Sequence, residues 1–293
     1  MPSLKEVKGR IGSVKSTQKI TSAMKMVASA KLRKAQTQIE KFLPYEHQLM
    51  EILNSFLSAD SGFNTSLADD RPVDAVAIVV VTSNSSLCGV FNSNAIRLFE
   101  NVLAKYKHLP KDKVYIYPVG KKIEDTLTRD GVPTTGSFIE LMEHPTFEQA
   151  KQLADRLVDD FLQKKIDRVE LVYNHFKSTA VQELVQEQFL PIVLNQNQET
   201  EKPQTASAVD YIIEPNKEAI LNLLIPKSLR AKIYSVVLDS AAAEQAARMV
   251  AMQIATDNAA DILEDLTILY NKQRQQSITS ELLDIIGGAE AQK

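Results

Sequence analysis

The sequence predicts an α/β protein in which an open sheet with crossover helices sits between two long terminal helices, and those helices pair as an antiparallel coiled coil. Three observations predict it. Positions 4, 7, 11, 14, 18, 21, 25, 28, 32, 35, 39 and 42 step by three and four without a slip, and nine of these twelve residues are apolar, which is the seam of a coiled-coil helix. Residues 73–193 alternate β-branched apolar runs with helical patterns, as a sheet with crossover helices requires. Residues 227–286 contain neither proline nor glycine. A helix of that reach, on the order of 90 Å at about 1.5 Å per residue, needs a partner along its length.

The first helix opens at Ser3, with Glu6 three residues on, the arrangement of a capping box. It runs to about residue 57, weakened in its first turns by Gly9 and Gly12 and disturbed at Pro44. The polar members of its seam, Gln18, Thr21 and Lys25, are neighbours, and Ile20, Met24 and Val27 put apolar bulk on an adjacent face. That pattern suits a helix gripped by something besides its partner helix. Residues 60–72, broken by Gly62 and Pro72, read as a linker.

Strands are predicted at 73–82, 113–119, 136–139, 168–176 and 181–193, and helices at 92–107, 121–130 and 146–165. The polar stretch 195–207 reads as an exposed loop. The chain is helical again from Pro215, with Pro226 an interruption suited to the first position of the main C-terminal helix. On that helix Leu229, Ile233, Val236, Ala243, Ala247, Val250 and Ile254 give way, with a one-residue offset, to Ala255, Ala259, Ile262, Leu266 and Leu269, a stutter in the supercoil. Alanines 241, 242, 243, 246, 247 and 251 allow two helices to approach closely, and Asp257, Asp261, Glu264, Asp265, Glu281 and Asp284 are expected to face the basic first helix. The expected division is a coiled-coil helix at 1–58, a central α/β domain at 73–213 and a second coiled-coil helix at 214–288.

Bulk composition narrows the function classes. A net charge of -3 over 293 residues exerts no overall pull on nucleic acid or an anionic membrane. The charge is unevenly placed, however, with eight Lys and Arg and no acid between Glu6 and Glu40. Cys88 is the one cysteine, so no intramolecular disulfide forms and a reducing compartment is expected. Apolar runs such as 75–81 are too short to cross a bilayer, and the N-terminus lacks the apolar core of a secretory signal. Membrane association is therefore expected only through a partner.

Catalytic motifs are missing. Neither GxxxxGK[ST] nor GxGxxG follows a predicted strand. Ser85-Ser86-Leu87-Cys88-Gly89, after the first strand, has a single glycine and reads as a structural turn with a packed Cys88. His47, His108, His144 and His175 show no metal-ligand spacing and read as surface or packing residues. The basic helix admits three readings. Nucleic-acid binding is disfavoured because residues 7–39 contain no aromatic. A solvated coiled-coil face, and a shaft turning inside an acidic or mixed sleeve with Thr21, Ser22, Ala23, Ala28, Ser29 and Ala30 keeping it narrow, both remain open.

Particular segments separate these two. Thr17-Gln18-Lys19-Ile20-Thr21-Ser22-Ala23-Met24-Lys25-Met26-Val27-Ala28 closely resembles the start of the γ subunit of F-type ATP synthases, and Ser86-Leu87-Cys88-Gly89 is similar to its central motif. The resemblance continues through Ala246-Ala247-Arg248-Met249-Val250-Ala251-Met252, Ala255-Thr256-Asp257-Asn258-Ala259, Tyr270-Asn271-Lys272, Arg274-Gln275, Ser277-Ile278-Thr279, Glu281 and Gly288-Ala289. These segments lie in order along the whole chain. Ala259 and Ala260 stand where many members of the family carry glycine, and no inserted cysteine pair of the chloroplast kind is present. The resemblance is to the bacterial type.

The resemblance implies a Rossmann-like central domain without a bound nucleotide or other cofactor, and a coiled coil that enters the α3β3 catalytic hexamer. The foot would sit on the ring of c subunits beside ε, with no nucleic-acid partner and membrane contact only through the complex. The chain would act as a non-catalytic rotor shaft at the cytoplasmic face of a bacterial inner membrane. By motif, Met24, Lys25, Arg274, Gln275 and Thr279 are expected at the α/β subunits, and Lys31, Arg33, Tyr211 and Glu214 at the c ring and ε. The reading from another class is a coiled-coil adaptor with an α/β ligand-binding domain, which predicts partner binding without any effect on an ATPase rate. An enzyme built on the central domain is disfavoured by the missing glycine fingerprint.

Overall fold

The computed structural model describes residues 3–58, 65–192, 214 and 216–290. In chain order the helices and strands are α1 (Leu4–Ser58), β1 (Val76–Val81), α2 (Phe91–Lys105), β2 (Val114–Val119), α3 (Lys121–Arg129), α4 (Ile139–Glu143), α5 (Phe147–Leu162), β3 (Arg168–Phe176), β4 (Gln182–Leu190) and α6 (Lys217–Glu290). They form two compact units, Lys31–Ala247 and a smaller one of Met1–Ala30 with Arg248–Lys293.

The larger unit is built on a sheet of order β2-β1-β3-β4, with β1 parallel to β2 and β3 and with β4 antiparallel to β3. The continuous Val/Ile run of β1 is buried throughout, as a strand covered on both faces demands. Val76, Ile78 and Val80 face Phe99 and Val102 of α2 and Ile123 and Leu127 of α3. Ala77, Val79 and Val81 belong to the opposite core, with Leu153, Leu157 and Phe161 of α5 and Leu221, Ile225, Leu229 and Ile233 of α6. Helices on both faces of a mostly parallel sheet make the unit doubly wound.

Three expectations about the larger unit are corrected here. Residues 136–139 are not a strand. Thr135 N–H donates to the Ile116 carbonyl at 2.7 Å and Phe138 N–H to the Pro118 carbonyl at 3.2 Å, so the chain lies along the edge of β2. Gly136, at φ +94, breaks the extended backbone between those two bonds, and Pro118 has no N–H with which to complete a ladder. Pro226 neither interrupts α6 nor starts it. Asn216 caps the helix by accepting the Ala219 N–H at 2.8 Å. Leu221, Ile225 and Leu229 on both sides of Pro226 are buried in one core, and their burial offsets the roughly 3 kcal/mol that an interior proline costs.

The segment after residue 64 is the third correction, because it is docked and not a free linker. Leu67 is buried and its carbonyl accepts the Ile192 N–H at 2.8 Å. Arg71 Nε donates to Asp167, its Nη2 donates to the carbonyls of Phe161 and Ile166, and its guanidinium stacks over the Phe161 ring at 4.4 Å. The other Asp167 oxygen accepts the Asp74 and Ala75 N–H groups. Arg71→Ala leaves a mostly buried carboxylate and two carbonyls without their donor, so a loss of about 3 kcal/mol is expected in the denaturant midpoint of the chain. A loss below about 0.5 kcal/mol would show that water replaces the guanidinium freely. The predicted loop 195–207 lies outside the described residues.

The heptad of α1 is borne out, for all twelve seam positions are buried or half-buried while Ile20, Met26 and Val27 are exposed. In the smaller unit Thr21 Oγ1 meets Thr256 Oγ1 at 2.8 Å, and Lys25 Nζ donates to Gln253 Oε1. Partners fall on α6 as they rise on α1, so the pair is antiparallel. Within this unit the α6 seam is Met252, Thr256, Ala259, Leu263, Leu266, Tyr270 and Gln273. Ile254 and Ile262, expected in the stripe, are 54% and 49% exposed. Among the described residues none of the six acids from Asp257 to Asp284 forms an ion pair with α1, so apolar packing and the Thr and Lys–Gln contacts hold the helices together.

Candidate functional site

In open α/β sheets of this winding, ligands bind past the carboxyl ends of the strands where the connections diverge. In the larger unit that place lies beyond β1 and β3, and α6 fills it. Cys88 and Phe91 pack on Ala243, with Phe176 and Ala247 against the same cluster. The Asn174 N–H donates to Ser240 Oγ at 3.3 Å and the Phe176 N–H to Asp239 Oδ1 at 2.9 Å. The loop after β1 is also tied inward. Asn92, from the first turn of α2, accepts the Ser83 N–H at 3.0 Å and donates to Cys88 Sγ at 3.2 Å. The side chain of Asn92 thus occupies the end of α2 where a nucleotide-binding turn would offer donors to phosphate.

Three buried phenols of the larger unit are tied to carboxylates. The phenols of Tyr106, Tyr117 and Tyr173 donate to Glu170, Asp160 and Glu187. Burial first, then the neighbouring carboxylate, holds Tyr106 up at about 12 and pushes the other two up as well. All three stay protonated at neutral pH and act as fixed donors. A cleft of about 540 Å³ lies beside β4, lined by Leu49, Leu53, Phe189 and Leu229 among others. Its Lys232 is paired with Glu187 at 2.9 Å. Among the described residues no group of three His, Cys, Asp or Glu is placed to hold a metal ion, and no helix is long and apolar enough to cross a membrane.

The unusual surface is in the smaller unit. Ile20, Met26 and Val27 on α1, and Ile254, Ile262 and Ile268 on α6, stand outside the seam and in the open. Residues 274–289 of α6 are all exposed. Leu282, Leu283, Ile285 and Ile286 there share one broad face of the helix, at i, i+3 and i+4 spacing. A broad apolar face left in the open marks a surface for a partner.

The predicted site residues divide on this surface. Arg274, Gln275 and Thr279 are exposed on the free stretch, with Thr279 Oγ1 donating to the Gln275 carbonyl at 2.8 Å. Met24 is half-buried. Lys25 is half-buried too, and it is engaged by Gln253 within the coiled coil. Lys31, Arg33 and Glu214 are exposed in the larger unit, and Tyr211 lies outside the described residues. The apolar group at 282–286 was missed; apolar residues off the seam were the signal for it, as they were for Ile20 and Val27. Leu87, within the turn 85–89 that the sequence singles out, is exposed at φ +67 beside exposed Val90.

An α/β body with its ligand crevice filled from within, on a chain that exposes apolar faces of its coiled-coil helices, marks the class of a coiled-coil assembly subunit. A family model described as ATP synthase matches residues 3–292. The chain is 52% identical over 295 residues to the ATP synthase gamma chain of Azobacteroides pseudotrichonymphae genomovar. CFP2, covering 100% of both. It is 53% identical over 291 residues to that of Phocaeicola vulgatus, covering 99% of this chain and 100% of the relative. The chain belongs to the ATP synthase gamma chain family. A chain in the cryo-EM structure of the Euglena gracilis mitochondrial ATP synthase (OSCP/F1/c-ring) shares the fold, with a TM-score of 0.68 at 23% identity over 98% of this chain and 94% of that one.

Proposed function

We propose that this chain is the central rotor shaft of an F-type ATP synthase. It couples ion flow through a membrane c ring to ATP synthesis and hydrolysis on the β subunits, and it performs no bond chemistry of its own. The observation that carries this reading is the exposed apolar end of α6, Leu282, Leu283, Ile285 and Ile286, on a member of this family. A sleeve of α and β subunits is the partner such an end requires. The shaft's contacts differ among the β conformers, so its angle biases their equilibrium, and the bias is limited by the differential contact energy.

Arg274, Gln275 and Thr279, with Met24 and Lys25, are the residues proposed to touch the α3β3 hexamer. Lys31, Arg33, Tyr211 and Glu214 are proposed at the c ring and ε. The complex would hold the chain at the cytoplasmic face of a bacterial inner membrane, peripheral and without membrane contact of its own. Reconstitution with matching α and β subunits tests the reading. ATPase turnover that depends on this chain is expected, and failure to associate would favour the coiled-coil adaptor.

Met24→Lys tests the contact region. Met24 is half-buried beside the engaged Lys25, and a second cation there meets both Lys25 and the β surface. Proton pumping per ATP hydrolysed is expected to fall about fivefold, the lower end of typical coupling effects, while assembly persists. A normal pumping ratio would remove Met24 from the contact region.

A further inference from the structure

Strand β1 makes its last pairing with β3 at Val80 and Val172, while β3 continues along β4 to Phe176. Past residue 172 one side of β3 therefore has no strand beside it. Asn174 is 2% exposed, so its main-chain groups cannot turn to water, and a buried orphan there would be costly. Two adjacent residues of α6 take the place of the missing strand. The Ser240 hydroxyl accepts the Asn174 N–H and donates to the Asn174 carbonyl, both at 3.3 Å. The Asp239 carboxylate accepts the Phe176 N–H at 2.9 Å through one oxygen and meets His175 Nδ1 at 2.6 Å through the other.

The same stretch of α6 is held to three further elements. Arg230 Nε donates to Asp155 of α5, Lys232 pairs with Glu187 of β4 at 2.9 Å, and Ser235 donates to Glu46 of α1 at 2.7 Å. Those contacts join side chain to side chain and are partly exposed, so they can bend and exchange with water. The contacts of Asp239 and Ser240 differ in kind, because they end on the main chain of β3. Apolar packing of a helix on a sheet resists separation better than sliding, for its contacts are non-directional. Hydrogen bonds to main-chain groups at fixed strand positions resist both sliding and turning, for they weaken steeply with angle.

We propose that Asp239, assisted by Ser240, is a positioning residue of the rotor that locks α6 to the end of β3. Torque entering the α/β body then reaches α6 without slip. The inference rests on the shaft reading above and assigns the point inside the larger unit where load passes from sheet to helix. The carboxylate and hydroxyl of α6 occupy the crevice that other open α/β sheets give to a ligand. The crevice thus serves here as a joint.

The test uses the complete synthase reconstituted in vesicles, with the parent chain, Asp239→Ala, Asp239→Asn and Arg230→Ala. ATP hydrolysis without an ion gradient and ATP synthesis under an imposed gradient are measured per assembled complex. Asp239→Ala is expected to hydrolyse within about twofold of the parent and to synthesise at least about fivefold more slowly. Asp239→Asn, whose amide oxygen still accepts the Phe176 N–H, should lie between, and Arg230→Ala should match the parent. A merely structural role would reduce the amount of assembled complex and leave the ratio of synthesis to hydrolysis unchanged, and an unchanged ratio overturns the proposal. Should Asp239→Ala fail to assemble, an unchanged ratio in both Asp239→Asn and His175→Ala overturns it equally. If the parent chain itself does not stimulate the α and β subunits, the shaft reading fails instead.

Discussion

Replacing Gly120 by alanine is expected to destabilise the α/β body by about 4 kcal/mol or more, at the far end of single substitutions. Gly120 links β2 to α3 at φ +106, and a Cβ there would stand 2.0 Å from the Thr82 carbonyl oxygen and 2.8 Å from its carbon. Neither atom can retreat. The Thr82 N–H is held by the Val119 carbonyl at 2.8 Å, its Oγ1 accepts the Ile123 N–H at 3.1 Å, and the residue is fully buried. Gly131→Ala is the control, since Gly131 also has positive φ (+67) but nothing within 4 Å of its added Cβ. It should lose only the strain of the left-handed region, about 1 kcal/mol. Urea titrations of the two variants decide the matter. Equal losses would show that conformation alone, and not the close approach to β1, governs Gly120.

Ending the chain after Tyr270 is expected to separate stability from coupling. The α6 seam extends only to Gln273, and residues 274–289 beyond it are exposed. The truncation therefore takes almost nothing from the folded core, and the denaturant midpoint should move by less than about 0.5 kcal/mol. It does remove Arg274, Gln275, Thr279 and the apolar group at 282–286. Each such apolar side chain is worth about 1.5–3 kcal/mol when fully enclosed by a partner. ATP synthesis by the reconstituted complex should fall at least about tenfold, since one such side chain alone exceeds 1.4 kcal/mol. Synthesis at the parent rate would refute the shaft assignment, and a large loss of stability would place these residues inside the fold of the chain itself.

The residue pattern was enough for those features that depend on one element at a time. The three-and-four spacing from Leu4 to Phe42 named the buried face of α1 residue by residue, because the helix repeat relates sequence position directly to direction. The Val/Ile run of β1 marked a strand buried on both faces for the same kind of reason. The resemblance carried by the terminal motifs pointed to the family that the comparisons show. The free apolar group at 282–286 was also visible as composition, though its meaning depends on finding no packing partner there.

Contacts between distant elements decided the rest. Nothing local to Asp239 or Ser240 says that they cap main-chain groups of residues 174 and 176, more than sixty positions earlier. The docking of Arg71 on Asp167 likewise joins residues far apart in the chain. Pro226 and Gly136 show the same limit from opposite sides. Burial of Leu221, Ile225 and Leu229 carries a helix straight through the proline, while a positive φ and a proline in the neighbouring strand keep an extended run from completing a ladder with the sheet. Backbone periodicity sets which way a side chain points within its own element. What it meets there is a sum over the whole packed unit, and that sum overrides local preferences of a few kcal/mol.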